Sequence, residues 1–142
     1  YNMPENLFVA SFIGNPPMNF IECAIEKKDN SYHCITDGGI IELPQTMINA
    51  SGLTGNQVIL GIRPHNFELV QSSENAFLLR TDYIEHLGKE NLYRCFMENT
   101  SIRVITPVNV EIPVDQPLYV RPSLEYINVF DQGPRRNITV RK

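Results

Sequence analysis

The chain has 142 residues, enough for one ordinary core or for two small barrels sharing one. Its 42% hydrophobic and 20% charged content is that of a folded globular domain and excludes a disordered one. A formal net charge of −4 argues against nucleic acid or an anionic membrane as principal partner.

No apolar run approaches the roughly 20 residues that a membrane-crossing helix needs, and no secretory signal opens the sequence, so the expectation is a cytoplasmic chain. The first predicted element is a short helix within residues 1–17. Pro4 suits a first helical turn, and Phe8 and Phe12 fall four apart on one face beside Val9 and Ile13. Gly14 supplies a left-handed stop, and Pro16-Pro17 forbid resumption.

Beyond Pro17 the pattern is that of strands. Ile21, Cys23 and Ile25 alternate with Glu22, Ala24 and Glu26. Asp29-Asn30-Ser31 turns the chain into Tyr32 to Thr36, and Asp37-Gly38-Gly39 signals a second hairpin into Ile40 to Leu43, ended by Pro44. Gln45 to Gln57 is a polar excursion in which Met47, Ile48 and Leu53 form one helical turn or plug the mouth of a barrel. Gln57 to Ile62 is a strand that ends at Arg63-Pro64, since Pro64 lacks a ladder donor and holds Arg63 extended.

Phe67 to Val70 is a short strand, and Phe77 to Leu87 the longest one. Gly88-Lys89 breaks it, and Leu92 to Met97 returns as its hairpin partner. Glu98-Asn99-Thr100 turns into Ile102 to Ile105. Pro107, Pro113 and Pro117 exclude a long central strand in the next stretch. Leu118 to Val120 and Tyr126 to Phe130 follow as strands, with Ile138 to Val140 as an added edge. One internal echo stands out: Ile62-Arg63-Pro64 recurs as Val120-Arg121-Pro122, 121 − 63 = 58 residues later.

Few residue patterns carry chemistry. The phosphate-cradling GxxxxGK[ST] loop, HExxH and GxSxG do not occur, so no catalytic, cofactor or metal residue is assigned. The cysteines Cys23, Cys34 and Cys95 are odd in number and lack CxxC spacing, as buried thiols in a reducing compartment do. A metal site from Cys23, His33 and Cys34 is disfavoured, because adjacent strand residues point to opposite faces. Arg63, at a strand end, reads as a structural guanidinium tying loops together in preference to a ligand contact. Gly52-Leu53-Thr54-Gly55-Asn56 is compatible with a backbone nest for an oxyanion and equally with an ordinary loop, the reading preferred here. Arg135, Arg136, Arg141 and Lys142 read as a solvated basic end.

Four blocks in order carry a resemblance that spans nearly the whole chain. They are Phe8-Val9-Ala10 with Phe12-Ile13-Gly14 and Pro17-Met18-Asn19-Phe20, then Gly61-Ile62-Arg63-Pro64, then Glu85 to Tyr93, then Val129-Phe130-Asp131. Together they resemble the segment that follows the ATPase domain in ATP-binding subunits of carbohydrate-import ABC transporters of the maltose and glycerol-3-phosphate type. Two departures are visible: His65-Asn66 follows Pro64 where the family usually has Glu-His, and Gln132-Gly133 follows Asp131 where it usually has Thr-Gly.

The resemblance implies a mainly β, OB-fold-like (TOBE) β-barrel or two intertwined small barrels with a short N-terminal helix. Residues 1–17 would be a linker helix from an ATPase domain and residues 18–142 a regulatory and dimer-assembly domain, non-catalytic by itself. ATP and Mg would bind that ATPase domain and no cofactor this stretch. The implied partners are a second copy of the subunit, the transporter membrane subunits reached through the ATPase domain, and a cytoplasmic regulator, with no nucleic acid. The implied location is the inner face of the plasma membrane. Gly14, Asn19, Phe20, Gly61, Arg63, Pro64, Glu85, Gly88, Phe130 and Asp131 are the motif positions, structural or interfacial in role. The other reading within the same fold is an oxyanion-binding domain of the molybdate type.

Overall fold

The computed structural model describes residues 5–6, 17–112 and 114–140. The helix expected in residues 1–17, with its stop at Gly14, lies outside the described residues apart from positions 5, 6 and 17. The first sheet takes β1 (Asn19–Lys28), β2 (Ser31–Thr36), β3 (Gly39–Pro44), β4 (Gln57–Ile62) and β10 (Asn128–Asp131). The second takes β5 (Phe67–Val70), β6 (Phe77–His86), β7 (Glu90–Met97), β8 (Thr100–Pro107) and β9 (Pro117–Pro122). Every strand pair is antiparallel, and the expected strands other than Ile138 to Val140 are present with shifts at their ends.

Alternation decides which face each strand buries. Ile21, Cys23 and Ile25 of β1 point inward while Glu22 and Glu26 face out. Asp29 takes a left-handed φ of 55° to close the β1–β2 turn. At the β2–β3 turn the Thr36 hydroxyl accepts the N–H groups of Gly38 (3.2 Å) and Gly39 (3.0 Å) and donates to the Gly39 carbonyl (2.7 Å). The inward faces of both sheets meet in one contiguous apolar core, with Ile41, Leu60, Phe77 and Tyr93 fully enclosed.

The sequence echo is the trace of a structural repeat. Asn19 pairs with Ile62 and Phe77 with Val120, both 58 residues on (77 − 19 = 120 − 62 = 58). The order β4-β1-β2-β3 in one sheet is matched by β9-β6-β7-β8 in the other. The fifth strands are exchanged. β5, which follows β4, pairs with β9, and β10, which follows β9, pairs with β4.

The Leu78 N–H donates to the Gly38 carbonyl (2.9 Å), so Leu78 turns its backbone away from β9. By the alternation of antiparallel ladders, Leu118 and Val120 then face β6, while Tyr119 and Arg121 face β5. Pro117 and Pro122 bound this central strand without loss, because each falls where the strand it faces has already ended.

Three expectations need correction. Neither sheet closes into a barrel by its ladders: β3, β10, β5 and β8 are ends of the two strand orders. Closing the first sheet would join β3 to β10, but Asn75 Oδ1 accepts the β3 N–H of Glu42 (2.8 Å), and the β10 rim bonds residues 136 and 138. Tyr126 lies in a 3-10 turn (Leu124–Tyr126), so the last strand starts only at Asn128. Residues 137–139 form isolated bridges, not a strand, because the Thr139 hydroxyl takes the Val129 N–H (2.6 Å) in place of a backbone acceptor. The excursion after β3 holds two 3-10 turns, Gln45–Met47 and Ala50–Gly52, with Ile48 buried between them.

The two sheets are clipped through polar groups. Asn19, 4% exposed, donates through Nδ2 to the Arg103 carbonyl (2.8 Å) and accepts the Arg103 N–H on Oδ1 (2.9 Å). One residue of β1 thus covers the rim of β8, helped by the Pro64 carbonyl, which accepts the Ile105 N–H (2.9 Å). Asn19→Ala leaves a half-buried donor and acceptor of β8 without partners and should destabilise the fold by about 1–3 kcal/mol. Urea unfolding checks this, and an unchanged midpoint would count against the clip.

Candidate functional site

Motif positions from both ends of the chain converge at the junction of β1, β4 and β10. Met18, Phe20, Ile59 and Phe130 form a small apolar cluster apart from the main core. The Phe20 and Phe130 rings meet edge to face, centroids 6.3 Å apart at 72°. Gly61 lies opposite Phe20 on one side and Asn128 on the other. A Cβ at Gly61 would stand 2.9 Å from the Phe130 ring and 2.5 Å from Met18 Sδ, so the close approach requires glycine.

Asp131 completes this corner. Its fully buried carboxylate accepts the Thr54 hydroxyl on Oδ2 (2.7 Å), the Thr54 N–H on Oδ1 (2.9 Å) and the Gly133 N–H on Oδ2 (3.1 Å). Burial pushes the carboxyl pKa up, but the Thr54 hydroxyl and the N–H groups of Thr54 and Gly133 together outweigh it, and the group sits below the ordinary value of 3.8. Thr54 belongs to the loop read as a candidate oxyanion nest. In that loop the Gly52 and Leu53 N–H groups also donate internally, to the carbonyls of Asn49 and Ala50. Within that loop the protein's own carboxylate takes both the N–H and the hydroxyl of Thr54.

The other motif residues lie elsewhere. Arg63 is half-buried in the β4–β5 link, its carbonyl accepting the Asn66 N–H (2.9 Å), and Pro64 is buried beside it. The His65 imidazole stands 3.2 Å from Glu90. On β6, Glu85 is 3.5 Å from Arg94, whose guanidinium lies 5.7 Å from the Tyr83 ring centre. Gly88 turns β6 into β7 with a left-handed φ of 87°. Asn19, Phe20, Gly61, Phe130 and Asp131 are thus brought together, while Glu85 and Gly88 mark a separate hairpin.

Sequence reasoning missed Thr54 as the partner of Asp131 and the Arg103 backbone as the partner of Asn19. These pairs are 77 and 84 residues apart, and no local spacing signals them. The candidate metal trio is split: Cys23 and Cys34 are buried, while His33 faces out to Glu42 at 3.1 Å. The neighbouring Cys34 thiol, followed by burial, pushes the Cys23 pKa far up. Burial raises Cys95 to about 11 against the opposing Thr81 hydroxyl, so both stay protonated at neutral pH. Among the described residues no three His, Cys, Asp or Glu side chains converge on a metal position. A shallow apolar groove of about 450 Å³ runs beside β5 and β9, and a second of about 410 Å³ lies between the β1–β2 turn and Asn75. Nothing in either arrangement pairs a nucleophile with a base.

Residues 14–67 match the family model of the MalK OB fold domain. The chain is 34% identical over 141 residues to the sn-glycerol-3-phosphate import ATP-binding protein UgpC of Vibrio cholerae, covering 96% of this chain and 36% of that protein. It is 27% identical over 141 residues to the sulfoquinovosyl glycerol transport ATP-binding protein SmoE of Agrobacterium fabrum, covering 97% of this chain and 38% of that protein. The chain therefore spans well under half the length of these curated relatives. Among solved structures, the cytoplasmic molybdate-binding protein ModG, with molybdate bound, superposes with a TM-score of 0.58 at 10% identity. The match covers 83% of this chain and 97% of ModG, a likeness of fold.

The stability contributed by ionised Asp131 is present above the unfolded carboxyl value of 3.8 and is lost as pH falls through its lower folded value. Asp131→Asn should cost about 3 kcal/mol at neutral pH, since two of the donors would face an amide group. The gap to the wild type should narrow below about pH 4 as the wild-type carboxylate is protonated. Urea midpoints at neutral and acid pH measure both effects, and a constant gap would contradict the ionised role.

Proposed function

We propose that this chain, which matches the C-terminal OB/TOBE region of ATP-binding subunits of ABC transporters for sugars and glycerol-3-phosphate, serves such a subunit as its regulatory and dimer-assembly module. The observation that carries the reading is the exchange of fifth strands between the two sheets. It binds ten strands into one body around one core, as a part that transmits position must be built. The internal engagement of the Thr54 loop by Asp131 supports the same reading, since it leaves that loop as structure and not as a receptor.

In this role the chain performs no turnover. ATP and Mg bind the ATPase domain that relatives carry in the remainder of their length, and the membrane subunits are reached through it. The module meets a second copy of itself, keeping two ATPase domains in register while their nucleotide sites open and close. A cytoplasmic regulator acting on this surface would alter transport without touching the nucleotide. The work takes place at the inner face of the membrane, and the solute is selected by other subunits.

The test compares the complete subunit with a version lacking this region. Without it, ATP should still bind with unchanged affinity, while self-association in the absence of nucleotide should weaken at least tenfold, about 1.4 kcal/mol. Sedimentation and nucleotide titration read the two quantities separately. Self-association that survives the deletion unchanged would overturn the assembly role.

A further inference from the structure

We infer that β5 is a docking edge for a second copy of this chain, the two β5 strands pairing antiparallel about a two-fold axis through Leu69. This rests on the assembly reading above and names the surface that performs it.

The inference comes from accounting for the four sheet rims. The rim of β8 is met by the Asn19 side chain at Arg103 and by the Pro64 carbonyl at Ile105. The rim of β3 is met by Asn75 at Glu42, and in the turn before it the Leu78 N–H donates to the Gly38 carbonyl. The rim of β10 is met by residues 136 and 138, since Asp131 N–H donates to the Arg136 carbonyl (2.9 Å) and Val129 accepts the Ile138 N–H (2.8 Å). β5 differs. Tyr119 and Arg121 face it, so Val70 and Glu68 form its ladder with β9, and Leu69 turns its N–H and C=O away from the sheet. Among the described residues nothing meets those two groups.

The register about the two-fold axis is free of conflict. Leu69 exchanges both backbone bonds with the partner's Leu69, as a hydrogen-bonded antiparallel pair does. Glu68 then stands opposite the partner's Val70 and Phe67 opposite the partner's Gln71, so no like charges face one another. Glu68 has its own counter-charge in Arg121, 4.0 Å away. Leu69 is 39% exposed and lines the apolar groove with Val70, Ile112, Leu118 and Tyr119, which a second chain would cover. The product is a ten-stranded sheet running through both copies, a self-complementary contact of the closed kind.

Sedimentation equilibrium of the 142-residue chain up to about 1 mM, the range of weak specific contacts, tests this with charge pairs at the axis. Leu69→Lys and Leu69→Glu each place two like charges together and should raise the dimer dissociation constant at least tenfold. An equimolar mixture of the two should restore association as a heterodimer. Unchanged melting temperatures establish that both variants fold, which the exposure of Leu69 favours. Leu69→Cys should form a disulfide-linked dimer under mild oxidation, with the buried Cys23, Cys34 and Cys95 not contributing. A wild-type dimer indifferent to both charges would overturn the β5 contact while leaving the assembly role, with its contact elsewhere. A monomer at every concentration would also overturn the β5 contact, and the subunit comparison above would then decide the assembly role independently.

Discussion

Two open sheets can share one core only if the polar rims they leave exposed find partners within the same molecule. An unpaired row of backbone groups invites foreign strands, and its burial without partners costs about 1–3 kcal/mol per group. Here side chains share that task with backbone groups from other segments. Asn19 reaches the rim of β8, Asn75 the rim of β3, and Thr139 stands in for a missing strand beside β10. Short amides and hydroxyls suit this task because they carry a donor and an acceptor on few rotatable bonds. Much of what looks like irregular loop is in fact edge protection.

The same economy explains the corner at Asp131. A loop with two glycines beside a threonine has the composition of an anion nest. In this chain the equivalent electrostatic demand is met by a side chain 77 residues away. A carboxylate that accepts from Thr54 and Gly133 gives the loop its negative partner without a ligand. Composition therefore points one way, and the hydrogen bonds point the other.

Local pattern made the strands legible. Alternation in β1 and in the β6–β7 pair, Asp37-Gly38-Gly39 and the proline stops at Pro44 and Pro64 each act within a few residues, where side-chain period and turn chemistry decide the outcome. The echo of Arg63 in Arg121 foretold the doubling but not the exchange of fifth strands, because nothing in a strand's own residues names its distant neighbour. Tyr126 reads as strand by residue type, yet the chain needs a 3-10 turn there to bring Asn128 onto Gly61. Closure failed too, at rims met by a single side chain, Asn75, and by short bridges to residues 136 and 138, none with a periodic signature. The convergence of Asn19, Gly61 and Asp131 was visible as motif positions; the contacts that unite them were not.

The swapped fifth strands also dictate an order of events during synthesis. β4 emerges with one side paired to β1 and the other bare, and it stays so until residues 128–131 have been made. β5 likewise waits for β9 before it has any neighbour. Such long-range closures are slow, and the nascent chain carries open, apolar β4 through the interval. A nick between the halves would leave two pieces still clasped, each holding a strand in the other's sheet.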